Sequence, residues 1–315
     1  MLGVILDADS LGKDIDLTPV TSLLDVWQIH DFTQPEQVAD RIAGADIVLT
    51  NKVRLDETNL KRAESLRFVS VIATGTNNVD LNAMQRRGVV VSNARGYGTP
   101  SVVQHTLTLI LTLSTNLHRY LADVNNGQWQ QSDVFCLLHH PIQEIAGKQL
   151  GVIGYGELGR AVARAAEALG MSIKISDRPG VEPREGRVSF EEVLATSDYL
   201  SLHCPLTDEN AHMINRETLA QMKSSAFLIN TARGGLVSAS DLITALKRNI
   251  IAGAAIDVLD QEPPPDNEAL LEPLSNLIVT PHNAWGAIES RNRLIMQTRE
   301  NIEAFLNGKP VRTVN

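Results

Sequence analysis

An arginine, a glutamate and a histidine follow three successive apolar runs in the second half of the chain, and their types could share one reaction. Arg233, Glu262 and His282 each come just after a run that predicts a β-strand. A guanidinium group suits bidentate recognition of a planar carboxylate. A carboxylate beside an imidazole fixes the tautomer of the ring and favours its protonated form. The set predicts general acid–base chemistry near neutral pH on a substrate that carries a carboxylate. A structural histidine, a solvated glutamate and a surface arginine are the alternative interpretation.

A glycine-rich turn in the middle of the chain predicts a dinucleotide site. It consists of Gly154, Tyr155, Gly156, Glu157, Leu158 and Gly159. A strand-like run, 150–153, precedes this turn, a helix-like run, 160–169, follows it, and Asp177 ends the next strand-like run. Strand, glycine turn, helix, strand and acid in this order are the context that a dinucleotide-binding unit needs. One glycine allows the tight turn, one lets the backbone approach a pyrophosphate, and one lets helix and strand pack.

Two further positions carry weaker signals. A carboxylate at Asp177 can accept hydrogen bonds from ribose hydroxyls and would repel a 2′-phosphate, which favours NAD over NADP. Arg178 leaves NADP as the alternative cofactor, because an arginine at this turn can accommodate that phosphate. Thr74 and Gly75 lie in a turn of small residues whose backbone N–H groups could form an anion-binding nest. An ordinary turn explains the same pattern.

Apolar runs alternate with helix-like stretches along the whole chain. Strands are predicted at 4–6, 26–29, 47–49, 68–72, 89–91, 150–153, 172–176, 199–203, 227–230, 252–257 and 277–280. Continuous apolar strands separated by helices indicate an α/β protein with doubly wound parallel sheets. A buried helix is predicted over 102–117, with Thr99 as its N-cap, and a long helix over 288–306.

The segment from Asn125 to Pro141 is long and irregular, with apolar residues at Trp129, Phe135 and Leu138. Long irregular loops in compact domains are usually functional. A partner subunit that covers these residues would explain them, and so would an ordinary packed surface loop.

Composition limits the classes of partner and compartment. The chain has 315 residues, a net charge of −9 and two cysteines. An acidic chain without a Lys/Arg cluster is a poor nucleic-acid binder, and no apolar run reaches 18 residues, so neither nucleic acid nor a membrane is expected as a partner. The N-terminus predicts a strand and no signal peptide, and the cysteine usage fits a reducing compartment, so a cytoplasmic protein is expected. No metal centre is predicted, because His139, His140 and His203 lack a second ligand set at a suitable spacing.

These motifs together resemble the D-isomer-specific 2-hydroxyacid dehydrogenase family over essentially the whole chain, nearest its glycerate dehydrogenase (hydroxypyruvate reductase) branch. The motifs are the glycine turn with Asp177, His203-Cys-Pro-Leu-Thr207, Asn230-Thr-Ala-Arg-Gly234, Asp257 with Glu262-Pro263, and Thr280-Pro-His282; for the branch they are Thr50-Asn-Lys-Val53, Asn93-Ala-Arg-Gly-Tyr-Gly-Thr-Pro100 and Pro281-His-Asn-Ala-Trp285. The resemblance implies a Rossmann NAD-binding domain, 98–287, inserted into a flavodoxin-like catalytic domain formed by 1–97 and 288–315. It also implies a homodimer.

The resemblance further implies roles for individual residues. Arg233 would bind the substrate carboxylate and carbonyl oxygen, His282 would be the proton donor or acceptor, and Glu262 its partner. Substrate contacts are implied for Asn51, Val53, Thr74, Gly75, Arg233, His282 and Trp285. Cofactor contacts are implied for Thr99, Gly154, Gly156, Glu157, Leu158, Gly159, Asp177, His203, Cys204, Pro205, Thr231, Ala232 and Asp257.

The expected function is NAD(H)-dependent interconversion of a small 2-keto acid and its D-2-hydroxy acid, with hydroxypyruvate or glyoxylate favoured. A D-lactate-type or a phosphoglycerate-type dehydrogenase is the alternative within the family. A corepressor-like binding protein that senses NAD(H) is the alternative from another class, because such proteins keep a similar set of arginine, glutamate and histidine.

Overall fold

The structure, a computed structural model, describes residues 1–315 and divides into two compact units. The first comprises Met1–Gly98 together with Gly286–Asn315, and the second comprises Thr99–Trp285. These bounds lie within two residues of the predicted domain limits. The part that each unit plays in a reaction stays a prediction.

The first unit is built on a five-stranded sheet in which every strand pair is parallel. Its strands are β1 (Leu2–Ile5), β2 (Val26–Ile29), β3 (Ile47–Thr50), β4 (Phe68–Val71) and β5 (Val90–Ser92), in the order β2-β1-β3-β4-β5. Its short helices are α1 (Thr18–Thr21), α2 (Val38–Ile42), α3 (Glu57–Leu60) and α4 (Leu81–Arg86). The central strands β3 and β4 are buried along their whole length, as continuous apolar strands of a parallel sheet require.

The second unit carries a six-stranded sheet, again wholly parallel. Its helices are α5 (Thr99–Thr115), α6 (Leu117–Asn125), α7 (Glu157–Ala168), α8 (Phe190–Thr196), α9 (Arg216–Leu219) and α10 (Ala239–Lys247). Its strands are β6 (Gln149–Ile153), β7 (Ser172–Ser176), β8 (Tyr199–Leu202), β9 (Phe227–Asn230), β10 (Gly253–Ile256) and β11 (Leu277–Val279), in the order β11-β10-β9-β8-β6-β7. The chain runs outward on one side of β6 to β7 and then returns to β8 on its other side. The gap between β6 and β8 is therefore the topological switch point, where open parallel sheets bind their ligands.

A long C-terminal helix, α11 (Ile288–Leu306), completes the first unit with the bounds that the sequence predicts. The ring of Phe305 stacks on Phe68 of β4 at a centroid distance of 4.6 Å. The buried Asn301 side chain donates to the carbonyl of Asn93 and accepts from Arg312. These contacts attach the last residues of the chain to the sheet that its first residues build.

The helix predicted over 102–117 is two helices in the structure. α5 ends at Thr115, and α6 begins after Asn116, whose φ of 50° lies in the left-handed region. Asparagine tolerates this conformation better than most residues. The helix is therefore interrupted at Asn116, although the apolar run continues past it. Thr99 is the first residue of α5 and not its N-cap. None of the helices is both long enough and apolar enough to cross a membrane.

Candidate active site

The glycine turn lies between β6 and α7, at the switch point, and each of its glycines meets a different constraint. Gly154 has a φ of 93°, and a Cβ there would lie 2.5 Å from the backbone of Cys204. A Cβ on Gly159 would lie 2.0 Å from the carbonyl oxygen of Gly154. A Cβ on Gly156 would meet nothing within 4 Å, so the space above the α7 N-terminus is open. A bound pyrophosphate requires these three features: a tight turn, backbone that it can approach closely, and close packing of helix against strand.

His203, just after β8, faces the switch point from the other side. The imidazole is buried, its Nε2 lies 2.9 Å from Ser201 Oγ, and its Nδ1 is buried without a hydrogen-bond partner. Burial lowers the pKa of His203 to about 4, so the ring is neutral at physiological pH. A buried ring nitrogen without a partner beside an open phosphate cradle fits a site that a dinucleotide completes.

Asp177 ends β7 where the sequence places a ribose-binding acid, but its carboxylate is already engaged. Arg184 binds it in a bidentate pair, with Nε 2.7 Å from Oδ2 and Nη2 2.6 Å from Oδ1. The backbone N–H groups of Arg178 and Arg184 also donate to it. The hydrogen bonds from Arg184 hold the pKa of Asp177 well below its usual range. The contact with ribose stays a prediction, and it requires that Arg184 share the carboxylate.

The remaining predicted cofactor residues surround the same strand ends. The Thr99 hydroxyl donates to Glu157 in the first turn of α7, at 2.5 Å. Thr231 Oγ1 lies 3.2 Å from Thr106 Oγ1, and the Ala232 N–H donates to Asn230 Oδ1. Leu158 is half-buried in α7, Cys204 is half-buried, and Pro205 is exposed. Burial raises the pKa of the Cys204 thiol, which agrees with its interpretation as a packed residue and not a nucleophile.

Glu262 and His282 form a direct pair past the ends of β10 and β11. Glu262 Oε2 lies 2.5 Å from His282 Nδ1, and its other oxygen accepts from the N–H of Leu259 at 2.9 Å. Both carboxylate oxygens therefore have fixed partners. The ring of His282 is 26% exposed. Because Nδ1 is held by the carboxylate, Nε2 is the nitrogen left to exchange a proton with a ligand.

Arg233 follows β9, the strand next to β10, and hydrogen bonds with the Asn230 side chain fix the backbone of its loop. Asn230 accepts from the Ala232 N–H at 3.0 Å and donates to the Arg233 carbonyl at 2.8 Å. Arg233 Nη1 donates to the carbonyl of Ala232. A Cβ on Gly234 would lie 2.1 Å from the backbone carbon of Leu259. Glycine at this position therefore lets the loop of Arg233 pack directly on the loop that leads to Glu262.

His282 has a φ of 50°, a strained conformation for a residue other than glycine, and Asp257 holds it there. The N–H of His282 donates to the carbonyl of Asp257 at 2.8 Å. The buried carboxylate of Asp257 accepts from Thr280 Oγ1 and from the N–H groups of Asn283 and Ala284. Burial alone would raise the pKa of Asp257, but these bonds and His105 lower it overall, so the group is ionised. A contact with nicotinamide stays a prediction, whereas its hold on the loop of His282 is visible.

Trp285 closes the same loop, since its indole N–H donates to the carbonyl of His282 at 3.1 Å. Two supporting residues, one for this loop and one for Asp177, carry no sequence signal of their own. His105 on α5 lies 3.1 Å from Thr280 Oγ1, and its spacing within an apolar helix predicts only burial. Arg184 stands seven residues after Asp177 in an irregular loop, where no periodicity pairs the two.

The predicted substrate residues of the first unit follow β3 and β4. The buried carboxylate of Asp7 accepts from the N–H groups of Asn51, Lys52 and Val53, with distances from 2.7 to 3.3 Å. Burial raises the pKa of Asp7, although these N–H groups oppose the shift. Thr74 is exposed, Gly75 is half-buried, and the Thr74 carbonyl accepts from Asn93. Asp7 thus fixes the Asn51–Val53 turn, and the role of all four positions in substrate binding stays a prediction.

Alanine at Gly156 should weaken cofactor binding, whereas alanine at Gly159 should lower the stability of the fold. Gly156→Ala adds a Cβ to open space, so we expect the wild-type melting temperature and NADH binding weaker by about 10- to 100-fold. Gly159→Ala drives a Cβ into the carbonyl of Gly154 and should destabilise the fold by about 1–3 kcal/mol. Thermal unfolding of the apoprotein and fluorescence titration with NADH separate the two. Wild-type NADH affinity in Gly156→Ala would refute the assignment of this turn.

Folding stability should depend on His203 in mildly acidic solution. The unfolded ring takes a proton below about pH 6.5, whereas the buried ring with a pKa of about 4 does not. The unfolded chain therefore binds more protons, and stability falls as the pH drops from about 6.5 to about 4, by roughly 3 kcal/mol for this group. Urea unfolding at several pH values should show a flatter profile for His203→Gln. Identical slopes in both proteins would contradict this account.

Comparisons with known proteins agree with this geometry. Residues 107–284 match the family model for the D-isomer specific 2-hydroxyacid dehydrogenase, NAD binding domain. A glycerate dehydrogenase from Methylorubrum extorquens is 44% identical over 281 residues, covering 89% of this chain and 88% of the relative. A hydroxypyruvate reductase from Blautia hydrogenotrophica is 37% identical over 319 residues and 99% of both chains. A crystal structure of a Thermus thermophilus protein, 30% identical, matches 100% of both chains with a TM-score of 0.88.

The matched family model spans the glycine turn, Asp177, Arg233, Glu262 and His282. The similar glycerate dehydrogenase and hydroxypyruvate reductase extend the similarity across nearly the whole chain. The chain therefore belongs to the D-isomer specific 2-hydroxyacid dehydrogenases, and it is an NAD-dependent oxidoreductase of that family.

Proposed function

We propose that the protein reduces a small 2-keto acid to its D-2-hydroxy acid with NADH and catalyses the reverse oxidation with NAD, and that hydroxypyruvate or glyoxylate is its substrate. The observation that carries this proposal is the pair of His282 and Glu262, whose facing atoms lie 2.5 Å apart at the strand end next to Arg233. The names of the similar glycerate dehydrogenase and hydroxypyruvate reductase support the choice of substrate.

In this proposal the residues of the chain bind, orient and move a proton. The nicotinamide cofactor supplies the hydride for C2 of the keto acid when it is bound. Arg233 neutralises the carboxylate and polarises the carbonyl, and the charge that develops on the carbonyl oxygen strengthens this interaction. His282 gives its Nε2 proton to that oxygen, so the C=O double bond becomes C–OH. Glu262 stabilises the protonated ring before the transfer.

The proposal extends to the residues that select the substrate. Backbone N–H groups at Thr74 and Gly75 would hold the carboxylate, because a turn of small residues leaves them accessible. Asn51, Val53 and Trp285 would set the volume available to the group on C3. Asp7 supports this role, since its carboxylate accepts hydrogen bonds from the backbone N–H groups of Asn51, Lys52 and Val53.

A panel of 2-keto acids tests the proposal by the rate of NADH oxidation at a fixed enzyme concentration. We expect kcat/KM to be highest for hydroxypyruvate or glyoxylate and lower for pyruvate, 3-phosphohydroxypyruvate and 2-oxoglutarate. A maximum at pyruvate or 3-phosphohydroxypyruvate would replace this substrate with a D-lactate-type or phosphoglycerate-type activity. NADH binding without oxidation in the presence of every acid would instead favour a corepressor-like sensor.

We further propose that the protein is a cytoplasmic homodimer. The segment after α6 supports the dimer, because Phe135 is 90% exposed and Leu138 is 74% exposed, and water-exposed apolar side chains of this size favour burial by a second copy. The two unpaired cysteines fit a reducing compartment. Light scattering after size exclusion should give about twice 34.4 kDa. A monomeric mass at micromolar concentration would contradict the dimer.

A further inference from the structure

We propose that Asp123, His139 and His140, here called the His–Asp cluster, bind a divalent cation of borderline softness, with Zn²⁺ as the best match. The cluster uses none of the residues placed in the reaction above. The inference therefore stands or falls independently of the proposed reaction.

The donor atoms of the His–Asp cluster lie close together, because both histidine Nε2 atoms face one carboxylate oxygen. Asp123 Oδ2 lies 2.9 Å from His139 Nε2 and 2.8 Å from His140 Nε2. All three ligand atoms lie within 4.8 Å of one another. A tetrahedral ion with bonds of about 2.1 Å needs donors about 3.4 Å apart. Each of the two spacings to Asp123 Oδ2 is about 0.5 Å shorter than that value, so a small outward shift of the two rings would admit the ion.

The cluster is held in place by residues that are not ligands. The Tyr120 hydroxyl donates to the carbonyl of His140 and accepts from its N–H, at 2.7 and 3.1 Å. The Tyr120 and His140 rings form a T-shaped pair at a centroid distance of 5.0 Å. The Asn116 side chain donates to the carbonyl of Pro141. Since Tyr120 and Asn116 thus fix the backbone of His140 and Pro141, the His140 imidazole needs little ordering when an ion binds.

The chemistry of the donors favours zinc over calcium or magnesium. Two imidazole nitrogens and one carboxylate oxygen suit Zn²⁺ and its neighbours, whereas hard cations prefer oxygen ligands alone. Asp123 and His140 are mostly buried, with side chains 11% exposed, and His139 is 44% exposed. The exposed ligand gives the ion a route from solvent, and a water molecule can complete the fourth position.

Ion binding also requires a shift of tautomer. Without an ion, each Nε2–H can donate to the same carboxylate oxygen, which satisfies the cluster. With an ion, both Nε2 atoms must offer lone pairs, so each neutral ring carries its proton on Nδ1 instead. The bound ion would then join the last turn of α6 to the far end of the irregular segment. We expect it to raise the resistance of that segment to unfolding and proteolysis.

Zinc titration of the untagged full-length enzyme tests the proposal. After treatment with a chelator and dialysis, the wild type should bind one Zn²⁺ per chain by calorimetry, and its melting temperature should rise with added zinc. His140→Gln and the conservative Asp123→Asn should each weaken binding by about 100-fold or more, because loss of even an indirect partner costs 10–100-fold. Co²⁺ bound to the wild type should give the intense visible bands of a tetrahedral site.

The matched control is His212→Gln. His212 Nε2 lies 3.7 Å from Asp260 Oδ2 in an exposed His–Asp pair that has no second histidine. This variant should bind Zn²⁺ as the wild type does. Equal zinc stoichiometry and affinity in the wild type and in the double variant His139→Gln/His140→Gln would overturn the proposal. If the histidine variants do not fold, the absence of tetrahedral Co²⁺ bands in the wild type overturns it as well.

Discussion

Replacement of His282 by glutamine should lower kcat by about 10²- to 10⁴-fold, the usual contribution of a positioned general acid or base. Glutamine keeps a hydrogen-bonding group of similar length near Glu262, but it has no proton to transfer at neutral pH. The affinity for NADH should change little, since the ring contacts neither the glycine turn nor Asp177 in the structure. Steady-state kinetics with hydroxypyruvate and fluorescence titration with NADH measure the two quantities separately.

Two companion variants sharpen this result. Glu262→Gln keeps the hydrogen-bonding partner of the ring but removes its charge, so we expect a smaller loss than in His282→Gln. His212→Gln removes an exposed histidine outside the pair and should leave kcat unchanged. Near-normal turnover in His282→Gln would show that another group transfers the proton.

Arg233→Lys should lower kcat/KM by about 10²- to 10³-fold although the positive charge is kept. Lysine lacks the planar fork that binds a carboxylate through two hydrogen bonds, and its point charge cannot serve carboxylate and carbonyl oxygen together. The loss of one donor to a developing oxyanion has a cost of this size. The loop should stay intact, because Asn230 braces it through backbone atoms.

The control for this variant is Arg216→Lys. Arg216 is mostly exposed and lies 3.8 Å from Asp241, a separation at which surface ion pairs contribute little. Its replacement should leave kcat/KM and the melting temperature at wild-type values. If Arg233→Lys shows full activity, recognition of the carboxylate belongs to other residues.

The sequence predicts the framework well, because buried parallel strands and helix ends have strong local signals. All eleven strands lie within two residues of their predicted bounds, and α11 has its predicted bounds. The three glycines of the turn are also predictable, since each answers to a backbone constraint within one βα unit. The helix break at Asn116 could not be predicted, because the apolar run continues across it. Its left-handed conformation depends on the packing of two helices.

Contacts between side chains in irregular segments could not be predicted. Asp123 and His139 are sixteen residues apart, and only the path of the intervening loop brings them together. The expectation of no metal ligands rested on spacing along the chain, which does not report on such a path. The ion pair between Asp177 and Arg184 could not be predicted for the same reason. It depends on the path of a surface loop, and no sequence pattern indicates that path.

The central claim is transfer of hydride to C2 of a 2-keto acid with D stereochemistry. The most direct test is product analysis after reduction of hydroxypyruvate with NADH that carries deuterium at C4 of the nicotinamide on the transferred face. The account predicts D-glycerate with one deuterium at C2 for each NADH consumed. Product without deuterium at C2, or glycerate of the L configuration, would contradict it.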